Sequence, residues 1–268
     1  MQIVLPDDPI LLGLLASLIA GAATGLGAIP IFMKKDFSGR TLDLMLGFAA
    51  GVMLAASSFS LLVPAFEDAQ VIAVGWPGVF TIVGLGFMLG ASFVYITDKK
   101  LPHEHFQKGL EGPSSHLGRV WLLVIAITIH NFPEGLAVGV SFGGNELITG
   151  LSVAIAIGLQ NIPEGLAVAA PLVREGYSRK YAAGLALLTG LVEPLGGLLG
   201  VSVVVFAAGL LPYGLSFAAG AMVYVVGDEM VPESHSSGNE RLATWGLMIG
   251  FLIMMSLDNV FEFLLPAG

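Results

Sequence analysis

Runs of twenty or more apolar residues, repeated down the whole chain, restrict its fold more than any other feature does. A helix rising 1.5 Å per residue needs about 20 residues to cross the hydrocarbon of a bilayer. Eight runs satisfy that, at roughly 10–33, 43–66, 76–97, 119–142, 147–170, 181–210, 212–231 and 242–265, with the sixth and seventh parting near Leu211-Pro212. Backbone left unpaired in lipid is costly, so each run is expected to be helical. Aromatic and β-branched residues are too scattered for the alternation of a barrel strand. The expected fold is an all-α polytopic membrane protein, a single domain over residues 1–268 with eight transmembrane helices and a loop at about 98–118. The first run is too long, and lacks the basic start, to be a cleaved signal peptide. Composition agrees: 55% of the 268 residues are hydrophobic and 12% charged, about half the charge of soluble domains.

Basic residues orient the chain. Lys34, Lys35 and Arg40 fall between the first and second runs; Lys99, Lys100, Lys108 and Arg119 between the third and fourth. Arg174, Arg179 and Lys180 follow the fifth, and Arg241 precedes the eighth. These are all eleven Lys and Arg of the chain, and eight spans put every one on the same side. The positive-inside rule makes that side cytoplasmic and leaves both termini outside. The net charge of −9 argues against nucleic acid and suits a cation as partner. With no cysteine in the chain, metal ligands must be oxygen and imidazole.

Two internal repeats follow. Leu46-Gly-Phe-Ala-Ala-Gly-Val-Met53 returns as Leu215-Ser-Phe-Ala-Ala-Gly-Ala-Met222, matching at six of eight positions, and a Val-Pro follows each (Val63-Pro64, Val231-Pro232). His130-Asn-Phe-Pro-Glu-Gly-Leu-Ala-Val-Gly139 matches Gln160-Asn-Ile-Pro-Glu-Gly-Leu-Ala-Val-Ala169 at seven of ten. In both cases the copies lie on helices running in opposite directions. The repeat is therefore inverted, in a 3+2+3 arrangement with helices 1–3 and 6–8 as halves and helices four and five exchanged. Inverted repeats with interrupted helices at the midplane point to the binding site of a secondary transporter. Apolar helices resemble one another by composition, but Asn-x-Pro-Glu-Gly is not a pattern that lipid selects.

The second repeat carries the chemistry. His130 and Glu134 are four apart and share a helix face, as do Gln160 and Glu164. Asn131 and Asn161 lie one residue further along. Pro133 and Pro163 cannot donate an amide hydrogen, which frees the carbonyls of Ile129 and Leu159. Glu193 stands mid-way along helix six, ahead of Pro194. A charge at the bilayer centre costs about 2.5–3.5 kcal/mol, so three ionised glutamates would cost roughly 7–10 kcal/mol unpaired. No Lys or Arg lies inside a span to pair with them, Arg119 standing at the very edge of the fourth. Either they are protonated or a cation compensates. Imidazole, carboxylate and amide oxygen together suit zinc, iron, manganese or cobalt better than magnesium or calcium. A lone intramembrane histidine is often a packing residue, and buried acids can relay protons without metal; two inverted copies plus Glu193 weigh against both.

His130-Asn-Phe-Pro-Glu-Gly, Gln160-Asn-Ile-Pro-Glu-Gly and Glu193-Pro-Leu-Gly-Gly resemble the signatures of the ZIP (Zrt-, Irt-like) family, prokaryotic branch, and the resemblance covers the whole chain. It implies divalent metal transport into the cytoplasm across a bacterial inner membrane, with zinc foremost and cadmium, iron, manganese or cobalt as alternatives. It also implies a binuclear midplane site. One position would be His130, Glu134, Gln160 and Glu164, with Met53; the other Asn131, Glu134, Asn161, Glu164 and Glu193, with Glu134 and Glu164 bridging. Many relatives have Asp where this chain has Asn161. The resemblance further implies an elevator-like motion of helices 1, 4, 5 and 6 against the rest.

Residues outside the motifs read less sharply. Glu67, Asp68 and Asp258 face outside, where they gather cations or form a solvated rim. Asp228 and Glu229 end helix seven on the cytoplasmic side and suit an exit relay. Ser60 lines the entrance or bonds its own backbone. His103, His105 and His116 lie in the loop after helix three, suited to metal sensing or simply solvated. Gly21-x-x-x-Gly25 and Gly86-x-x-x-Gly90 can pack helices within one chain or across a homodimer. No enzyme is expected. His103-Glu104 lacks the second histidine of a zinc protease, since Gln107 stands there. Gly139-Val-Ser-Phe-Gly143 lies in a lipid-spanning helix, where no strand-to-helix elbow can form. A passive cation channel shares the same acidic path and is the alternative to a carrier.

Overall fold

The computed structural model describes residues 8–34, 36–105, 109–111, 118–144 and 147–264. Eight helices are long and apolar enough to cross a membrane: α1 (Pro9–Phe32), α2 (Gly39–Ile72), α3 (Gly75–Lys100), α4 (Arg119–Gly143), α5 (Leu147–Arg174), α6 (Arg179–Phe206), α7 (Ala208–Ser234) and α8 (Glu240–Leu264). The chain is thus an all-α, multi-pass membrane protein. A hairpin of two three-residue strands, β1 (His103–His105) and β2 (Gly109–Glu111), follows α3.

Helix ends follow local chemistry that hydropathy does not register. The side chains of Asp8, Ser38 and Ser178 each accept a hydrogen bond from a first-turn amide, at Ile10, Thr41 and Tyr181. Those caps start α1, α2 and α6 one to four residues before the apolar run begins. α2 also runs on to Ile72, because its polar last turns remain helical. The break between α6 and α7 falls at Ala207, earlier than Leu211-Pro212, since Pro212 opens the next helix as a first-turn residue. Arg179 donates to the carbonyl of Phe32 and Arg174 to that of Phe37, which ties the α5–α6 link to the α1–α2 link.

Prolines shape the interiors. α2 widens into a π-helical segment at Ala56–Leu62, and α7 does so at Val226–Met230. Each segment ends at one of the two Val-Pro pairs. A proline supplies no amide to the carbonyl one turn back, and a wider i→i+5 turn recruits a later donor. α6 breaks at Leu191–Val192 and restarts at Glu193, with Pro194 in the new first turn.

The principal packing partners are α2 with α8, α3 with α7, α4 with α6, and α1 with α5. Backbone-to-backbone approach through glycine sets these pairs. A Cβ on Gly135 or Gly139 of α4 would strike the α6 carbonyls of Glu193 and Gly197; one on Gly27 or Gly165 would do the same between α1 and α5. Gly47 and Gly51 bring α2 onto α8, and Gly90 and Gly220 bring α3 onto α7. Among the described residues, no glycine makes such a backbone approach between the set α1, α4, α5, α6 and the other four helices. Both Gly-x-x-x-Gly runs pack within the chain, Gly21 on Gly190 and Gly86 on Ser216. Gly139→Ala should therefore push α4 off α6; overpacking of this kind costs about 1–3 kcal/mol. The expected result is a lower unfolding temperature in detergent, and an unchanged one would count against rigid α4–α6 packing.

α4 and α5 form the centre: 72% of each span is buried, against 22% for α8. The outer helices turn Trp76, Phe80, Phe206 and Trp245 outward. That is an apolar surface suited to acyl chains.

Candidate metal site

The two motif segments meet at this centre. His130, Asn131 and Glu134 on α4, Gln160, Asn161 and Glu164 on α5, and Glu193 at the α6 restart are all buried. Glu134 lies within electrostatic reach of Glu164 and Glu193, with Gln160 beside it, and Glu164 is in reach of His130. Three helices thus deliver three carboxylates, one imidazole and three amides to a single region. The helices run on through Pro133 and Pro163, so the four-residue spacing keeps each pair on one face.

Most of these polar atoms have no partner. Both oxygens of Glu134, both amide atoms of Asn131 and Gln160, Asn161 Oδ1, Glu164 Oε2 and Glu193 Oε2 are buried without a hydrogen bond. Buried polar atoms elsewhere in proteins are almost always paired. Seven oxygens and two amide nitrogens left in this way are the exception; a cation would resolve the oxygens, and the ligand set fits a borderline divalent ion.

A second cluster joins the first toward the basic side. His130 Nε2 stands 2.7 Å from Glu229 Oε2. Asp98, from the last turn of α3, brings its carboxylate close enough that all three residues can offer ligand atoms within 4.8 Å of one another. The π-helical segment of α7 carries Glu229 into this position. Asp98 escapes sequence reading because Lys99 and Lys100 follow it and make it look like part of a solvated helix end. Helix register offers a signal: Gly86, Gly90 and Asp98 on α3 have the spacing of Gly246, Gly250 and Asp258 on α8.

Cavities connect this cluster to the basic ends of the helices. One of about 270 Å³, lined by Asp43, Val120, Arg174, Glu175, Glu233 and Ser236, adjoins one of about 40 Å³ against His130, Glu164 and Glu229. Leu46, Leu123, Ala167 and Glu233 line both. Asp43 is buried and accepts a hydrogen bond from Asn239 at 2.8 Å. Asp43 and Glu233 are acidic residues lining the cavity that the motifs do not reveal.

The remaining sequence candidates are dispersed. Met53 is buried on α2 in an apolar cluster with Leu136 and Ile157. Ser60 is buried in the π-helical segment of α2, and Asp228 is half-buried beside Glu229. Glu67 is exposed and Asp68 half-buried near the far end of α2. The side chains of His103, His105 and Asp258, and the whole of His116, lie outside the described residues.

Comparison with known proteins shows the family. The sequence profile of the ZIP Zinc transporter family matches residues 103–258. A protein named zinc transporter GufA, from Myxococcus xanthus, is 49% identical over 250 residues, covering 92% of this chain and 97% of its own. Zinc transporter ZIPB of Bordetella bronchiseptica is 46% identical over 255 residues, spanning 89% of this chain and 77% of its own. Human zinc transporter ZIP11 is 40% identical, covering 91% of this chain and 96% of its own. An eight-span helical chain with these motifs at its centre, matched along nearly its full length by such relatives, belongs to the ZIP zinc transporter family.

Proposed function

We propose that this chain carries divalent transition-metal ions, zinc foremost, across a bacterial inner membrane into the cytoplasm. The observation that carries the reading is the buried, unpartnered acceptor set on Glu134, Gln160 and Glu164 beside His130. The ion is the cargo, and it supplies the counter-charge that these acids otherwise lack. Cadmium, iron, manganese and cobalt satisfy the same donors. Asp98, Glu229, Glu233 and Asp43 then form the acidic route from the midplane to the basic, cytoplasmic side.

Three features support alternating access. The adjoining cavities reach the basic ends of the helices, which supports an inward-open conformation. The packing pairs are exchanged by the inverted repeat: α2 on α8 corresponds to α7 on α3, and α4 on α6 to α5 on α1. Glycine contacts hold α1, α4, α5 and α6 as one body that carries every midplane candidate except Met53. Such a body can slide as a unit against α2, α3, α7 and α8.

Purified protein in liposomes should take up radioactive zinc with saturable kinetics, and uptake should be inhibited by cadmium. The detergent-solubilised protein should retain zinc at neutral pH and lose it on acidification, because protons compete with metal for imidazole and carboxylate. Failure to bind zinc, cadmium, iron or manganese at neutral pH would sink the site. Flux rising without saturation would favour a channel instead.

A further inference from the structure

The surroundings of Asn161 bear on how many ions the midplane holds. Its Nδ2 donates to Glu193 Oε1 at 2.6 Å and to the carbonyl oxygen of Ala20 at 2.7 Å. Both partners are acceptors, so chemistry orients the amide: turned over, Oδ1 would face two oxygens with no hydrogen between them. Asn161 and Glu193 are both fully buried, and the bridge ties α1, α5 and α6 at one point. With its N–H on Glu193 Oε1, Asn161 cannot aim its oxygen at a cation held by that same carboxylate oxygen, and Oδ1 stays without a partner. The charges agree. One divalent ion balances Glu134 and Glu164, while Glu193 is met by a charge-assisted hydrogen bond.

We propose that Asn161 is a positioning residue whose amide stands in for a second cation at Glu193, so that the transport site binds a single ion through His130, Glu134, Gln160 and Glu164. This rests on the reading of the midplane as the transport site. Asp at this position would remove the N–H and set two carboxylates side by side in low dielectric. A second cation would then be needed to hold them.

The test is zinc stoichiometry by elemental analysis of the purified full chain, together with X-ray absorption at the zinc edge. Wild-type protein should hold one zinc per chain and show no metal–metal shell. Asn161→Asp should hold two and gain a shell at about 3.5–4 Å, the usual separation in two-metal sites. Two zincs per wild-type chain, or a metal–metal shell in its spectrum, would overturn the proposal, as would Asn161→Asp remaining at one. The wild-type spectrum decides the matter even if the variant misfolds. No zinc on the wild type would remove the transport-site reading, and the proposal with it; two zincs would remove the proposal alone.

Discussion

Glu134→Ala and Glu164→Ala should each reduce zinc uptake in liposomes to background. Both carboxylates would face the ion in a region with no Lys or Arg, and each would carry half of the charge that balances it. Loss of a residue that merely supports a metal ligand costs 10–100-fold in affinity, so loss of a charged ligand should exceed about 100-fold. Misfolding is the rival explanation, and physics separates the two. Without metal, both oxygens of Glu134 and Oε2 of Glu164 are buried without partners; a buried charge left unpaired is costly, so removing the carboxylate relieves that cost. Each variant should therefore unfold at the same temperature as metal-free wild type, or higher, while zinc should raise the unfolding temperature of wild type alone. Unimpaired uptake in either variant would exclude that residue from the site.

The grouping of the motif residues was legible in the sequence because its information is local. Four-residue spacing on a helix fixes which side chains share a face, and eight spans put Glu134, Glu164 and Glu193 at similar depth. The basic side was legible too, since all eleven Lys and Arg sort onto it once the spans are counted. What escaped depends on packing between distant segments. Asp98 reaches His130 only because α3 leans on α7 and so approaches α4, a relation no spacing encodes. Glu229 was a candidate by position, yet the π-helical segment that turns it toward His130 depends on how the helix accommodates Pro232. Asn161 illustrates a finer limit. Its identity suggests a weak oxygen ligand, whereas the Ala20 carbonyl, 141 residues away, turns its nitrogen toward Glu193.

Cysteines replacing Ala126 and Ala156 should react with membrane-impermeant thiol reagents in opposite conformations. The two alanines stand four residues before His130 and Gln160, at equivalent places in the inverted repeat. Ala126 lines the inner cavity with His130 and Glu229. Ala156 is instead sealed against Val52, Ala55, Ala56 and Met254 of α2 and α8. In the conformation seen here, Ala126→Cys should be labelled from the cytoplasmic side and Ala156→Cys protected. Sliding of α1, α4, α5 and α6 toward the outside should reverse both, and a chain without native cysteine gives no background. The repeat also supplies a lever on the equilibrium. By register Glu229 of α7 corresponds to Ser60 of α2, and His130 to Gln160. The conformation seen here therefore holds the His130–Glu229 contact at 2.7 Å, and the counterpart state would have Gln160 and Ser60 in its place. Hydrogen bonds to charged groups are worth about 1.5–3 kcal/mol, so Glu229→Ser should shift the population outward by about tenfold or more. External labelling of Ala156→Cys should rise accordingly while cytoplasmic labelling of Ala126→Cys falls. If both cysteines react at once, from their two sides and at every zinc concentration, the path is a continuous pore and the carrier reading gives way to the channel.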